Sequence, residues 1–180
     1  VAVCDVIGEP ARIKWPNDVV VEQEPPPQAP VGAVLAKLAG ILTEGRPQEG
    51  WAVVGIGLNV AVRLAELPAE LRGDMAQGAS VARPAATLGR PREEIEPMLA
   101  RLLEALERRL REPAEQTLEA WRSRDALLGR EVAWDARGSA QRVGRGRAQG
   151  IDGVGRLIVM LTDGGRATLS AGEVHLAAID

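Results

Sequence analysis

The chain has one cysteine, Cys4, and one histidine, His175, in 180 residues. A disulfide framework is thereby excluded, as is almost any zinc site built from Cys and His. It has no Phe and no Tyr, and its four Trp are too few for a base-stacking platform. Twenty-two basic residues against twenty-five acidic ones give a formal net charge of −3, so no global positive field draws in nucleic acid. No apolar run approaches the roughly 18 residues that a membrane span needs. Nor does a basic-then-apolar signal segment stand at the start. The expectation is a soluble, cytoplasmic protein without membrane or nucleic-acid partners, and hydrophobic residues at 46% can supply its core.

The sharpest scarcity lies inside the basic count. Twenty of the 22 basic residues are Arg, and the only lysines are Lys14 and Lys37; the only asparagines are Asn17 and Asn59. A coding bias toward Arg accounts for the global depletion. It does not account for all four survivors lying in the first sixty residues, each in a segment that reads as a strand or its turn. Function is the better explanation of their placement.

Residues 1–7 read as the last turns of a helix ended by Gly8. Residues 12–15 and 18–22 read as short strands around a turn at Pro16-Asn17. Residues 22–30 form a proline-rich, polyproline-like spacer. Residues 32–43 and 51–62 read as an antiparallel hairpin, and 64–91 as loops with brief helices. Residues 93–111 are the clearest element. Ile95, Met98, Leu99, Leu102, Leu103, Leu106 and Leu110 share one face, expected to pack in the core, with Glu104/Arg108 and Glu107/Arg111 paired opposite. Pro113 stops this helix and opens another to about residue 124, with Leu118 and Trp121 inward. Beyond residue 127 the composition changes to five short strands, 131–135, 142–151, 156–162, 166–170 and 173–177, which describe a small barrel.

No G-x-x-x-x-G-K-[ST] loop is present, G-x-G-x-x-G fails after Gly55-Ile56-Gly57, and no G-x-S-x-G occurs. Cys4 reads as a small buried hydrophobe and His175 as a surface or barrel residue. What remains is Lys14-Trp15-Pro16-Asn17-Asp18, then Lys37-Leu38-Ala39-Gly40-Ile41-Leu42, then Gly55-Ile56-Gly57-Leu58-Asn59-Val60. A lysine in an apolar hairpin is expected to bury its ammonium, which is costly unless an anion meets it. Gly40, Gly55 and Gly57 either relieve strand crowding or let a flat ligand lie on the sheet. Asp18 can hold a cation or orient a lysine, and Asn17 and Asn59 offer amide groups to a heterocycle edge. Lysine, carboxylate and amide beside a hydrophobic slot suit phosphoryl or adenylyl chemistry.

In that order, KWPND, KLAGIL and GIGLNV resemble the central motifs of the biotin protein ligases, and the glycine-rich tail is similar to their C-terminal domain. The resemblance implies an α+β fold. Residues 1–127 would be the C-terminal part of the catalytic domain, a partial mixed or antiparallel sheet with helices related to class II aminoacyl-tRNA synthetases. Residues 128–180 would be an SH3-like barrel. It also implies an enzyme that joins biotin to ATP, giving biotinyl-5′-AMP and pyrophosphate, then transfers biotin to a lysine of the biotin carboxyl carrier protein of acetyl-CoA carboxylase. On this likeness Lys37 is catalytic and binds biotin, with Gly40, Gly55 and Gly57 lining the biotin slot. Asn17, Asp18 and Asn59 bind ATP, Asn59 at the adenine edge, and Asp18 also holds Mg²⁺. Lys14 is divided between a structural and a site role.

Nothing before Lys14 supplies the glycine-arginine loop that the family closes over its ligands, so the chain is expected to be a truncated piece, and its activity alone is left open. Arg145-Gly146-Arg147 reads as a decoy for that loop. A non-catalytic binding or assembly fragment and a lipoate ligase-like enzyme are the alternatives, and a homodimer is left open.

Overall fold

The computed structural model describes residues 1–24, 34–72, 84–135, 143–170 and 172–176. Most of the proline-rich stretch and the turn at Arg137-Gly138 lie outside them. Helix α1 (Ala2–Ile7) ends at Gly8, whose φ of 78° suits a residue without Cβ. Four strands follow: β1 (Arg12–Lys14), β2 (Asp18–Gln23), β3 (Val34–Arg46) and β4 (Trp51–Leu58). They form an antiparallel meander in the order β1-β2-β3-β4. Short α2 (Ala69–Arg72) precedes the long α3 (Ile95–Arg111) and α4 (Ala114–Arg122). The last five strands are β5 (Glu131–Asp135), β6 (Val143–Ile151), β7 (Leu157–Leu161), β8 (Arg166–Leu169) and β9 (Glu173–Leu176).

Alternation along the first sheet sends Ile13, Val19 and Ala39 to one face, where they pack with Ala2, Val3 and Cys4 of α1 and Leu102 and Ala105 of α3. Cys4 is a small buried hydrophobe, as expected. Asp5 ties the helices together. Its carboxylate accepts from Arg109 Nε at 2.7 Å and from Arg108 at 2.9 Å, and meets Arg124 at 3.0 Å. Burial alone would raise the Asp5 pKa, but the hydrogen bond and charge of Arg109, with Arg124 and Arg108, outweigh it and hold the carboxyl below its ordinary value.

Two expectations are corrected. On α3, Met98, Leu102 and Ala105 are buried, whereas Ile95, Leu99, Leu103 and Leu110 are exposed. At 100° per residue the apolar arc is wide, and the helix is rolled so that one half meets the sheet. Arg108 reaches Asp5, while Glu107 and Arg111 do pair, at 2.5 Å. Among the described residues the C-terminal strands form an open antiparallel sheet, β8-β7-β6-β5-β9, and no closed barrel. The short edge strands β8 and β9 pair inward with β7 and β5. Among the described residues parallel pairing is confined to single bridges, Ile13 with Asp125 and Lys37 with Ala85.

The C-terminal sheet encloses Val132, Trp134, Ala148, Leu157, Val159, Leu169 and Val174, and Trp15, in the turn between β1 and β2, joins that core, with Leu35 of β3 packed against it. Arg130 pairs with Glu22 at 2.8 Å. Ile13 donates to the Arg124 carbonyl and accepts from the Ala126 amide, so β1 is stitched to the segment entering β5.

Candidate functional site

Asp18 stands opposite Gly40, and Val19 opposite Ala39, but Val20 stands opposite Lys37. Leu38 is the extra residue of a β-bulge. Residues three apart on a regular strand point to opposite faces. The bulge reverses that parity, so Leu38 and Ala39 are both buried while Lys37 emerges on the face of Gly40 and Asp18. There the Lys37 ammonium meets Asp18 Oδ1 at 2.6 Å. A Cβ on Gly40 would stand 2.9 Å from both Cε and Nζ of Lys37, so the lysine crosses the sheet over the space that the glycine leaves. The expected buried ammonium is corrected: the Lys37 side chain is 44% exposed and Asp18 19%. Its anion is the motif carboxylate, brought from across the proline-rich stretch by strand pairing.

Asn17 is clasped to β3 twice, its amide donating to the Ile41 carbonyl at 2.9 Å and its own carbonyl accepting from the Ile41 N–H at 2.9 Å. Past Leu58, where β4 ends, residues 84–88 take its place beside β3. Lys37 N–H donates to Pro84 and its carbonyl accepts from Ala86 N–H, each at 2.7 Å. The Asn59 side chain closes this junction, Nδ2 donating to the carbonyls of Ala86 at 2.9 Å and Lys37 at 3.3 Å. Both its amide hydrogens are therefore committed to backbone, and Oδ1 is the atom left to meet a ligand.

Gly57 lies opposite Gly40, and Gly55 opposite Leu42, so the three predicted glycines share the face of Lys37 and Asp18. A Cβ on Gly57 or Gly55 would find its nearest neighbour at 4.0 or 3.7 Å, a carbonyl oxygen of β3. No described side chain needs the space above them. The site is thus an open glycine-surfaced face with an ammonium–carboxylate pair at one end. A groove of about 730 Å³ lies instead toward the helices, between Val19, Ile41, Leu106 and Trp121, and reaches the site at Asn17.

Asp18 does not by itself fit the Mg²⁺ role. It is one carboxylate already engaged by an ammonium, and no cluster of three His, Cys, Asp or Glu side chains occurs among the described residues. Lys14 stands opposite Asp18 across the β1–β2 turn. Arg145-Gly146-Arg147 lies in β6 of the other sheet, away from this face. Sequence reasoning missed residues 84–88, whose one polar side chain, Thr87, donates its hydroxyl to the Asn59 carbonyl at 3.2 Å, and Trp15, whose indole Nε1 donates to the Gly155 carbonyl at 3.0 Å.

Neither a protein-family profile nor a curated protein sequence matches the chain. Solved structures do. The chain superposes on the biotin protein ligase of Aquifex aeolicus in complex with biotin and ATP with a TM-score of 0.66 at 26% identity, covering 99% of this chain and 68% of that one. A second crystal structure of that ligase gives 0.66 at 25%, covering 99% and 71%. Its apo structure gives 0.67 at 24%, covering 98% and 72%. The resemblance carried by three short motifs thus extends over the fold of the whole chain, which matches about 70% of a biotin protein ligase.

Proposed function

We propose that this chain carries part of the active site of an ATP-dependent biotin protein ligase, with the Lys37–Asp18 end of the glycine face at the reacting junction. One comparison of magnitudes carries the reading. A pair as exposed as Lys37–Asp18 contributes roughly 0.2–1 kcal/mol to stability. A strand glycine such as Gly40, needed to make room for it, costs roughly 0.5–1 kcal/mol. Stability alone gives no net reason for the arrangement, whereas a ligand does. The neighbour solved with biotin and ATP supports the choice of ligand.

In the first step a biotin carboxylate oxygen attacks the α-phosphorus of ATP, and pyrophosphate leaves with the electron pair of the broken P–O bond. The product is biotinyl-5′-AMP. Lys37 supplies a point charge to the carboxylate and α-phosphate as charge builds on the equatorial oxygens, and no proton need move. In the second step a lysine amine of the carrier protein attacks the acyl carbon and AMP leaves, with the amine proton passing to solvent. Gly40, Gly55 and Gly57 let the biotin rings approach the backbone. Asn17 and Asp18 flank the nucleotide, and Asn59, with only its acceptor free, suits a donor such as the adenine amino group. Mg²⁺ on this reading arrives with the ATP phosphates. The reading divides the chain into residues 1–127, catalytic, and 128–180, an SH3-like module whose five strands and long, irregular β6 support it. It places the enzyme in the cytoplasm with the biotin carboxyl carrier protein as partner.

The test is calorimetric titration of the chain with biotin and ATP, and mass spectrometry for biotinyl-5′-AMP, with Lys37→Ala beside it. Binding of both ligands that Lys37→Ala weakens supports the proposal. Failure to bind either at millimolar concentration, binding indifferent to Lys37, or preference for lipoate overturns it. A second reading, a binding or assembly module, draws on β4, an uncharged edge strand with Trp51, Val53 and Val54 exposed. Mass that rises with concentration, in a chain that binds neither ligand, favours it.

A further inference from the structure

The geometry points to Trp15 as a positioning residue, through which the seating of the C-terminal sheet sets the Lys37–Asp18 pair in the other sheet. Trp15 lies between Lys14 and Asn17-Asp18 in sequence, yet the residue is only 3% exposed and belongs to the C-terminal core. Its indole N–H donates to the Gly155 carbonyl at 3.0 Å. That carbonyl is held by a braced turn. Asp152 Oδ1 accepts from the Val154 and Arg156 amides at 3.0 and 2.9 Å, Oδ2 accepts from Arg156 Nε at 2.7 Å, and the Asp152 N–H donates to the Arg156 carbonyl at 3.0 Å. Gly155, at φ 82°, takes a backbone conformation that side chains rarely adopt.

On the other side of Trp15 the slack is equally small. Two residues on, Asn17 is fixed to Ile41 by two hydrogen bonds, and Asp18 then meets Lys37. The bulge that turns Lys37 onto this face turns Leu35 with it, and Leu35 packs against the C-terminal core. Both members of the pair are thus anchored to the second sheet within three residues, Asp18 through Trp15 and Lys37 through Leu35. A shift of the Asp152–Arg156 turn is passed to Asp18 through a rigid ring and a short turn. A rigid link of this kind transmits a displacement that a flexible side chain would absorb.

This inference rests on the proposed function only in calling the pair a ligand-binding one, and its test uses no ligand, so the two fail separately. The chain has two lysines, so uniform ¹³C-lysine labelling gives two Cε resonances, which Lys14→Arg and Lys37→Arg assign. Asp18→Asn defines where the Lys37 signal goes when its partner's charge is lost. Trp15→Phe keeps an aromatic ring in the core and removes the hydrogen bond to Gly155. Asp152→Asn loosens the turn without touching the first sheet. Both are expected to move the Lys37 signal toward its Asp18→Asn position, with the circular dichroism of a folded chain retained. If Trp15→Phe does not fold, Asp152→Asn decides alone. A Lys37 signal unmoved in Asp152→Asn, while the amide of Gly155 shifts, overturns the inference, because the turn would then have moved without the pair.

Discussion

Replacing Gly40 by Ala separates the site from the stability of the fold. The new methyl would stand 2.9 Å from Lys37 Cε and Nζ, against the roughly 3.5–4.0 Å at which such atoms rest. Both belong to the free end of a half-exposed side chain, so the lysine swings aside and the backbone stays. The lost ion pair costs about 0.2–1 kcal/mol, and the stiffer unfolded chain returns about 0.4–1 kcal/mol. Urea unfolding should therefore place Gly40→Ala within about 1 kcal/mol of the parent. Ligand binding should suffer far more. A displaced ammonium forfeits a charge-assisted hydrogen bond to the bound anion, about 1.5–3 kcal/mol, or roughly a 10- to 100-fold weaker dissociation constant by calorimetry with ATP and biotin. Gly57→Ala is the companion, since its methyl meets nothing nearer than the Gly40 carbonyl at 4.0 Å: it should leave the lysine in place, and weaken binding only by occupying the face itself. A loss above about 2 kcal/mol in Gly40→Ala would mean that the methyl strikes something rigid. Unchanged affinity would mean that the pair is not at the ligand. Either result refutes the argument.

Asp5→Ala should cost about 2–3 kcal/mol by removing the carboxylate that gathers three arginines. The Asp5 pKa is lowered in the fold, so the unfolded chain takes up the proton first. Its contribution is complete above an unfolded value of about 3.9 and disappears as pH falls through the lower folded one, a slope that urea melts across acid pH should find reduced in the variant. Gly144→Ala would drive a methyl into the ring of Trp134, which is itself buried in the C-terminal core. Overpacking of that kind costs about 1–3 kcal/mol, read as a lower urea midpoint.

The strands of the first sheet were legible because alternation and turn chemistry agree there: Gly8 and Pro16-Asn17 each end an element where the chain turns, whereas the polar tip expected over 44–50 is shorter, since β3 runs on to Arg46 and pairs with Trp51. The candidate site was legible through rarity, since a chain that spends Arg almost everywhere keeps Lys37 and Asn59, and strand pairing brings both to one junction. The bulge was not legible. Nothing in KLAGIL marks Leu38 as the extra residue, so the ammonium was expected among apolar neighbours and is found half in water beside Asp18. The two hydrogen bonds of the Asn59 amide depend on residues 84–88, whose main chain offers carbonyls that no side-chain pattern announces. On α3 periodicity identifies the apolar arc but not how far it is covered, which the roll of the helix on the sheet decides. Strand count in the C-terminal region follows from alternation, whereas closure depends on edge strands whose pairing is set in three dimensions.

The irregularity at Leu38 makes β3 two rulers joined out of step. Residues 34–37 and 39–46 each keep perfect alternation, but with inside and outside exchanged. Deleting a single residue across that join would restore an ordinary strand and in doing so point Leu35 and Lys37 the wrong way together, detaching the neighbouring sheet and dispersing the charge pair in one stroke. Length variation is therefore far better tolerated at the hairpin tip, residues 47–50, than across four residues of unremarkable composition in the middle of the strand.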